Sequence, residues 1–519
     1  MIQVTEKSVS LDGNCAFVDF ELDAYSQLDI ELELEAPAAL DIALGEVASG
    51  NRVNREPGGF RIIRTMQKEC AAGKSSFAFD LPHHKSPYSN NSSVPLPPEA
   101  GNREIVPFRY VEIVGGKGKA KLIRKAFYGE FDDNAADFVS DNAQLNKIWQ
   151  FCKYTMKATS AFGYYIDGER ERQPYEGDSL SNMLGDLACG GGPVTARRTI
   201  DWLLKVPTWF NEWQLITVIL VYDYLLYTGD HASVNQWLPQ LEKHIAKFVP
   251  EENDLLRDAT PEEISKRFPR DLIDWPTPER DSYELGKFNL TPNCYYFEVM
   301  QIMYKLTGKN EYKITAEKVK AAILKNFRNG EDFVDSIGST HTALHSLLYP
   351  AYFKIADLSE NMKNALVAKG MSCSVYTAHF LVEYCFDNGM VDHAYNLLLS
   401  NDLRSWSNMI AKGATIAMEA WDDTLKPNQD WNHAWGAAPA NLIPRCIAGI
   451  KPLEPGFKHF AVTPHPGNLK EFYCKHPTPC GPIELEYKDC LYKLSVPENT
   501  QAVTAAGIFE AGTHTFKLA

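Results

Sequence analysis

Residues 140–156 read SDNAQLNKIWQFCKYTM, and this stretch decides the fold. Either Ser140 or Asp141 can cap a helix here, because short polar side chains accept hydrogen bonds from free backbone amides. After the cap, apolar side chains recur at helical spacing and share one face: Leu145, Ile148, Trp149, Cys152 and Met156. The sequence therefore predicts that helical structure begins near residue 140.

Helical periodicity continues as far as residue 450 or so. Further helices are predicted at 194–204, 213–227, 234–248, 293–306, 312–326, 340–348, 375–387, 391–400 and 435–447. Glycine beside Asp, Lys or Asn in several connections is typical of short turns. Helices joined in antiparallel hairpins predict an (α/α)6 barrel, a double ring of helices. A solenoid is the alternative, but the sequence has no fixed repeat period.

Apolar and polar residues alternate on both sides of the helical part, which predicts β-strands. The predicted segments are 17–22, 28–34, 40–44, 77–81 and 108–113, and then 460–464, 483–487, 491–496 and 513–518. Residues 83–103 are rich in Pro, Ser and Asn and predict a long loop toward a neighbouring domain. The fold class is therefore multidomain, with a jelly-roll-like β-sandwich at 1–136, an (α/α)6 barrel at 137–450 and a C-terminal β-sandwich at 451–519. Strands from elsewhere in the chain could complete the last of these.

Composition narrows the classes of function. The formal net charge of −15 argues against nucleic acid and anionic membranes as partners. It also argues mildly against a heavily sulfated or polyuronate substrate, unless a local basic pocket overrides it. Eleven cysteines without CxxC spacing predict buried free thiols.

The sequence also carries expectations about location and cofactors. The chain starts without the basic and apolar regions of a signal peptide, so we expect a cytoplasmic protein, or a periplasmic or secreted one if a signal was removed. No stretch is long and apolar enough to span a bilayer. Neither a nucleotide fingerprint nor metal-ligand spacing is present, so no cofactor and no metal are expected. The oligomeric state stays open.

Residues 167–178 read DGERERQPYEGD and gather five carboxylates and two arginines around Pro174 and two glycines. Such a segment breaks any long helix. A solvated turn of mixed charge is the simple interpretation. A loop that collects carboxylates also suits glycoside hydrolysis, which needs one carboxyl protonated and another ionised.

Two later segments offer a second carboxylate and a sugar-binding surface. Glu419 lies in the mostly apolar run TIAMEAWD at 415–422, and PNQDWNHAWG follows at 427–436. Tryptophan faces stack on sugar rings while polar neighbours bind the hydroxyls. The alternatives are a surface glutamate on a helix and, for His433, a structural histidine.

Together these segments resemble glycoside hydrolase family 78, the α-L-rhamnosidases. The resemblance covers 167–178, 419–421 and 432–436, runs on to 449–457, and extends to the domain order and the strand at 108–113. It implies an inverting hydrolase that releases terminal α-L-rhamnose. We expect the substrate to be a small glycoside or oligosaccharide, since the extra modules of many family members are absent.

The resemblance also implies roles for single residues. Glu171 matches the general acid and Glu419 the general base. The matched or candidate substrate-binding residues are Asp167, Arg172, Tyr175, Asp178, Trp213, Trp275, Trp421, Trp431 and His433. Core packing is the alternative for Trp213 and Trp275.

Tyr175 stands where the family commonly has tryptophan, which leaves the sugar specificity open. The alternatives are a helical-barrel glycosidase of other specificity, a uronic-acid lyase and a non-catalytic carbohydrate-binding relative. The acid-rich cluster fits a lyase poorly. The presence of both Glu171 and Glu419 argues against a protein that only binds.

Overall fold

The computed structural model describes residues 1–86, 93–266 and 268–518. Strands occupy both ends of these residues and helices occupy the middle. The strands are β1 (Ile2–Asp12), β2 (Cys15–Leu34), β3 (Ala38–Gly45), β4 (Ile63–Cys70), β5 (Gly73–Ala78), β6 (Val106–Val114), β7 (Lys117–Phe127), β8 (Asp137–Ser140), β9 (Arg328–Asn329), β10 (Asp332–Phe333), β11 (Ile450–Pro452), β12 (His459–Val462), β13 (Glu471–His476), β14 (Ile483–Lys488), β15 (Leu491–Val496), β16 (Gln501–Thr504), β17 (Gly507–Phe509) and β18 (Gly512–Phe516).

The helices are α1 (Ala143–Thr159), α2 (Glu176–Cys189), α3 (Pro193–Lys205), α4 (Asn211–Thr228), α5 (His231–Ile245), α6 (Pro261–Ser265), α7 (Leu290–Thr307), α8 (Asn310–Asn326), α9 (Leu344–Tyr352), α10 (Glu360–Lys369), α11 (Thr377–Asp387), α12 (Val391–Leu398), α13 (Trp406–Ala411) and α14 (Pro439–Leu442). The cap of α1 is Asn142, one residue after the predicted position, and its side chain accepts from the Leu145 amide. The helix predicted at 435–447 is divided into a 3-10 turn, α14 and a π-helical turn. Thus most predicted helices are present, with ends shifted by a few residues.

The N-terminal strands form one sheet that folds over its own core. Strand β2 is its longest strand and changes register between Asp19 and Ala24. The first part of β2 pairs with β6, and the last part pairs with β5 and β7. Side chains from both parts, such as Val18 and Ile30, lie in the same apolar cluster. A single bent strand therefore joins the two layers that the sequence predicts as a sandwich.

Six of the described helices contact one another in a closed ring. Helix α2 packs against α4, α4 against α7, α7 against α9, α9 against α11, α11 against α14, and α14 against α2. Every residue of α2 is buried. The helices α3, α5, α8, α10 and α12 pack on the outside of this ring. Residues that precede the ring helices are thereby placed at its rim.

The C-terminal strands form a five-stranded and a four-stranded sheet. In the five-stranded sheet, β8 pairs antiparallel with β13, with Phe138 opposite Cys474. Residues 137–140, predicted as part of the helical domain, are therefore a strand of the C-terminal sheet. Four residues are too few to show alternation, and the partner strand lies far along the chain.

Two other sequence expectations concern cysteines and membranes. All eleven cysteines are free thiols; eight are buried as predicted, whereas Cys15 is half-buried and Cys480 and Cys490 are exposed. In the described part of the chain, no helix combines the length and the apolar character that crossing a bilayer requires.

Candidate active site

The acidic segment forms a tight loop immediately before α2. Within it, the Asp167 amide donates to Gln173 O (3.0 Å), and the Arg172 amide donates to Gly168 O (3.0 Å). Gly168 has a φ of +122°, and a Cβ at this position would lie 2.6 Å from a carboxylate oxygen of Asp430. Glycine is therefore required both by the backbone and by the close approach of the second segment.

Arg172 anchors this loop to the N-terminal domain. Its guanidinium is 2% exposed and donates to Glu104 (2.8 Å) and Glu169 (2.6 Å). It also lies over the Phe162 ring at 4.7 Å. The sequence predicts a substrate-binding role for Arg172, but these contacts use its donors, so the structure places it as a support of the loop.

The long loop predicted at 83–103 contacts the acidic segment where it is described. Residues 87–92 of this loop lie outside the described residues. The Val94 amide donates to Arg172 O (2.9 Å), and the Ser93 hydroxyl to Glu171 O (3.5 Å). The N-terminal domain thus touches the candidate acid segment directly.

Glu171 is buried at the start of the ring and has two side-chain partners. Arg170 Nε donates to its Oε1 (3.2 Å), and the Tyr175 hydroxyl donates to its Oε2. Tyr175 in turn accepts from the Gln173 amide. The aromatic ring of Tyr175 packs against Trp213, with centroids 6.0 Å apart. The orientation of the Glu171 carboxyl is therefore fixed by Arg170 and Tyr175.

Glu419 lies in an irregular segment between α13 and α14, not on a helix surface. The Glu419 amide donates to Asp430 O (3.2 Å), which fixes the backbone against the following segment. Its carboxylate accepts from both terminal nitrogens of Arg170 (2.8 and 2.9 Å) and lies 3.1 Å from Lys426 Nζ. Burial raises the pKa of Glu419, but Arg170 and other cations outweigh it and lower that pKa to about 2. Glu419 is therefore ionised.

Arg170 links the two glutamates, because one guanidinium bonds Glu171 and Glu419 together. It is shielded from water, with 10% of its side chain exposed, and it lies 5.3 Å from the Phe60 ring of the N-terminal domain. The distance between the carboxyls is thus set by one guanidinium and its hydrogen bonds.

His433 lies between two aspartates on the same rim. Its Nε2 is 2.7 Å from Asp178, which is on the first turn of α2, and its Nδ1 is 3.0 Å from Asp430. Burial lowers the pKa of His433, but Asp430 and Asp178 outweigh it and hold the pKa well above 6.5. The ring is therefore an imidazolium that donates from both nitrogens.

Glu419, Asp430 and His433 also have potential ligand atoms within 4.8 Å of one another. A cation site needs oxygens and neutral imidazoles with free lone pairs. Here the Glu419 oxygens bond to Arg170 and Lys426, and both nitrogens of His433 face carboxylates. This donor set suits a network of charged hydrogen bonds better than it suits a metal ion.

Several buried polar atoms in this region have no partner among the described residues. One oxygen of Asp167 accepts from the Gln173 amide (3.1 Å), and the other has no partner. The same holds for one oxygen of Asp430 and for the indole nitrogens of Trp213 and Trp431. Burial and the nearby Glu171 raise the pKa of Asp167 well above its usual range. Buried polar groups normally have partners, so this concentration is typical of a site for a polar ligand.

The four predicted tryptophans have different surroundings. Trp213 packs against Tyr175 and Trp435, and Trp275 is half-buried with Lys426 Nζ 5.9 Å from its ring. Trp431 lies under the Arg61 guanidinium at 5.1 Å. Trp421 has no exposed surface, and its indole nitrogen donates to Cys373 O (2.8 Å). In this structure Trp421 packs in the core, edge-on to Trp406, and its predicted role in substrate binding stays a prediction.

Two aromatic residues near the site were not predicted from the sequence. Trp209, 40% exposed, packs edge-on against Tyr175 at 5.7 Å, and Phe60 covers Arg170 from the N-terminal domain. Neither lies in a recognisable motif. Trp209 lies just before α4, and residues that precede a ring helix are expected at the rim, so its position could have indicated it. Phe60 reaches the site only because the N-terminal domain packs against the acidic loop.

A ring of helices between two β domains, with paired buried glutamates at its rim, places the chain in the class of six-hairpin glycosidases. Residues 133–447 match the family model described as the bacterial alpha-L-rhamnosidase 6 hairpin glycosidase domain. Residues 449–505 match the bacterial alpha-L-rhamnosidase C-terminal domain. The chain therefore belongs to the bacterial α-L-rhamnosidase family, glycoside hydrolase family 78.

Single relatives agree with this family. An alpha-L-rhamnosidase of Formosa agariphila is 25% identical over 393 residues, which cover 69% of this chain and 39% of the relative. The chain spans less than half the length of the curated relatives it matches. Native α-L-rhamnosidase from Aspergillus terreus has a TM-score of 0.78 at 15% identity, covering 99% of this chain and 63% of that one. The Streptomyces avermitilis enzyme complexed with L-rhamnose has a TM-score of 0.75 at 14% identity, covering 100% and 54%. At these identities the solved structures support the fold.

Proposed function

We propose that this chain is an inverting glycoside hydrolase that releases terminal α-L-rhamnose from a small glycoside or oligosaccharide. The catalytic domain is an (α/α)6 barrel, formed by the closed ring of six described helices and the helices outside it. The observation that carries the proposal is the pairing of Glu171 and Glu419 across Arg170. Two buried carboxyls from distant segments bond the same guanidinium, and glycoside hydrolysis needs such a pair of carboxyls.

Glu171 acts as the general acid and Glu419 as the general base. In an inverting enzyme the base activates a water molecule behind the sugar ring while the acid protonates the leaving oxygen, so the carboxyls stand roughly 6.5–9.5 Å apart. Arg170 bonds Glu171 through Nε and Glu419 through its two terminal nitrogens, and this arrangement, with a cation between the carboxyls, supports a separated acid and base. The ionised state of Glu419 agrees with the role of base, because only a carboxylate accepts a proton from water.

Arg170 must move before catalysis. Its guanidinium lies between the two carboxyls and occupies hydrogen-bonding positions that the water and the leaving oxygen would need. A base with a pKa near 2 is also weak at neutral pH, and loss of the Arg170 contact would raise that pKa toward the useful range. Binding of the sugar therefore displaces Arg170, whose positive charge stands where the oxocarbenium-like charge develops.

The remaining polar groups bind the sugar. Asp167, Asp178 and the His433 imidazolium line the same rim, and Asp167 has a buried oxygen without a partner. Tyr175 and Trp213 supply an aromatic wall. The proposed partner is therefore a carbohydrate, and the proposed mechanism routes no step through a cofactor.

The test is release of nitrophenol from p-nitrophenyl α-L-rhamnoside, measured beside p-nitrophenyl glycosides of other sugars. We expect release from the rhamnoside and none above background from the Glu419→Gln variant, which retains the side-chain volume. Release from a different sugar would retain the carboxylate chemistry and overturn the rhamnose specificity. Absence of release from every glycoside, together with rhamnose binding measured by calorimetry, would instead indicate a carbohydrate-binding relative.

A further inference from the structure

A cavity lies beside Arg170, where the N-terminal domain meets the acidic loop. Its volume is about 340 Å³, and its lining includes Phe60 and Arg64 from one side and Glu169 and Arg170 from the other. A space of this size suits one sugar residue. Because Arg170 also bonds Glu171 and Glu419, this cavity is one side chain away from the proposed site of bond cleavage.

Positive charge without a partner lines this cavity. Arg64 donates from one terminal nitrogen to Ile63 O (2.9 Å), while its buried Nε has no hydrogen-bond partner. Neither Arg64 nor Lys85 forms an ion pair within the residues that the structure describes. The chain as a whole has a net charge of −15, so binding of an acidic ligand needs a local basic lining of this kind.

His84 adds a buried ring nitrogen on the same wall. Its side chain is 9% exposed and its Nδ1 lies 3.7 Å from Glu169. Its Nε2 is buried and has no partner among the described residues. The nearby acid Glu169 is already held by Arg172, so it does not neutralise the cavity. Buried polar atoms without partners, Arg64 Nε and His84 Nε2, indicate that a polar ligand from outside completes the site.

An aromatic platform and an open side complete the arrangement. Phe60 is 41% exposed and borders the cavity, so that one ring face is available to a sugar. Lys85 is exposed, so the cavity opens to solvent. An oxyanion held here would also give the Arg170 guanidinium an alternative partner to the two glutamates.

We propose that this cavity binds the sugar residue next to the rhamnose and that this residue carries an oxyanion, a carboxylate or a sulfate. The inference rests on the proposed function for the rhamnose itself. It deepens that function by naming an acidic sugar as the leaving group. Arg64 and Lys85 bind the oxyanion, and Phe60 stacks on the ring.

The first test uses a matched pair of disaccharides, α-L-rhamnosyl-(1→4)-glucuronic acid and α-L-rhamnosyl-(1→4)-glucose. They differ only in a carboxylate in place of a hydroxymethyl group. We expect kcat/KM to be at least about tenfold higher for the acidic disaccharide, as charge-assisted hydrogen bonds predict. Equal kcat/KM for the two would overturn the inference.

Variants that remove one positive charge test whether Arg64 and Lys85 cause the preference for the acidic disaccharide. Arg64→Gln and Lys85→Gln should each lower the ratio of acidic to neutral kcat/KM severalfold, while Lys318→Gln on the outer helix α8 should leave the ratio unchanged. Lys85 is exposed, so its variant is expected to fold even if Arg64→Gln does not. Equal losses on both disaccharides, or unchanged ratios in both variants, would contradict the proposal.

A binding measurement separates this inference from the proposed function. Methyl β-D-glucuronoside, its glucose 6-sulfate counterpart and methyl β-D-glucoside are titrated into the protein by calorimetry. We expect an acidic ligand to bind and the neutral one not to bind, with binding lost in Lys85→Gln. That result would support binding of an acidic sugar in the cavity even if the protein cleaved no rhamnoside. In that case the proposed function would fail and the binding inference would stand. If neither acidic ligand binds, the inference is overturned. If both bind, the ligand with the higher affinity identifies the oxyanion as a carboxylate or a sulfate.

Discussion

Glu419 and Glu383 are both buried and both bonded by an arginine and a lysine, yet we assign chemistry to only one of them. Glu383, on α11, accepts from Arg445 (2.6 Å) and Lys451 (3.1 Å) and lies 3.7 Å from His379. These residue types are the same as those around Glu419. A buried glutamate among cations therefore does not by itself mark an active site.

The two clusters differ in what their arginine bonds. Arg445 bonds a single carboxylate and a tyrosine hydroxyl, that of Tyr227 at 3.3 Å, whereas Arg170 joins two glutamates. No buried side-chain atom lacks a partner among Glu383, Arg445 and Lys451 or among Glu419, Arg170 and Lys426. Unpartnered buried atoms lie beside both clusters, on His476 next to Tyr227 and on Asp430 next to His433. The lesson is that a cation shared by two buried carboxylates distinguishes the candidate site from a structural ion network.

The largest expected effect is on catalysis. Glu171→Gln and Glu419→Gln should each lower kcat by roughly 10³-fold, because a general acid or base contributes about that factor. Glu383→Gln should leave kcat for the same rhamnoside close to that of the wild type. Steady-state kinetics on p-nitrophenyl α-L-rhamnoside measures all three. A Glu383→Gln variant as inactive as the other two would abolish the distinction between the clusters.

The next effect is on stability and has the opposite pattern. Glu383→Gln should lower the free energy of unfolding by about 3–5 kcal/mol, because Arg445 and Lys451 would lose their buried counter-charge. Glu171→Gln should cost much less, since Arg170 retains Glu419 as its counter-charge. Urea denaturation of the variants compares the two. Equal losses would mean that both clusters are structural.

A third comparison uses two tyrosines that donate to these glutamates. Tyr175 donates to Glu171, and Tyr352 donates to Glu383 (3.0 Å). Tyr175→Phe should lower kcat about tenfold, as expected for loss of one hydrogen bond to a charged or reacting group. Tyr352→Phe should lower stability by about 1 kcal/mol with kcat unchanged. Unaltered catalysis in Tyr175→Phe would remove that tyrosine from its role beside the acid.

The smallest effect concerns pH and the two histidines. Asp430 and Asp178 overcome burial and hold the pKa of His433 well above 6.5, whereas burial lowers the pKa of His379 to about 4. The stability contributed by the His433 cation is complete below pH 6.5 and is lost as pH rises through its raised pKa. The neutral His379 ring destabilises the protein as pH falls from 6.5 toward 4.

Urea midpoints between pH 4 and 9 provide the measurement for this prediction. The stability difference between wild type and His433→Asn should shrink as pH rises above 6.5. The difference between wild type and His379→Asn should shrink as pH falls below 6.5. The same pH trend for both variants would contradict the assigned charge states.

The sequence predicted the fold best where helices have one apolar face. Helix α1 and the outer helix α3 show helical periodicity and were predicted. Helix α2 was missed, because all of its residues are buried and no polar face reveals a period. Strand β8 was missed because its pairing partner is remote. Periodicity reports contact with water, so it fails for elements that water does not reach.

The candidate site was predicted only where motifs occur. Glu171, Glu419 and His433 stand in short recognisable segments, and the structure brings them to one rim, although their roles stay predictions. Most residues of the cavity beside Arg170 come from loops of the N-terminal domain and carry no local signal. Arg172 has the residue type that its motif requires, but its contacts make it an anchor. A sequence pattern thus identifies which residue types a site contains more readily than it identifies where each side chain points.

The central claim is that Glu171 and Glu419 act as a separated acid and base with a water molecule between the base and the sugar. Proton NMR of the first rhamnose released from p-nitrophenyl α-L-rhamnoside tests this claim most directly, before the anomers equilibrate. The account predicts that β-L-rhamnose appears first, because water attacks from the face opposite the leaving group. Initial release of α-L-rhamnose would show retention through a covalent intermediate and would contradict the assignment of the two glutamates.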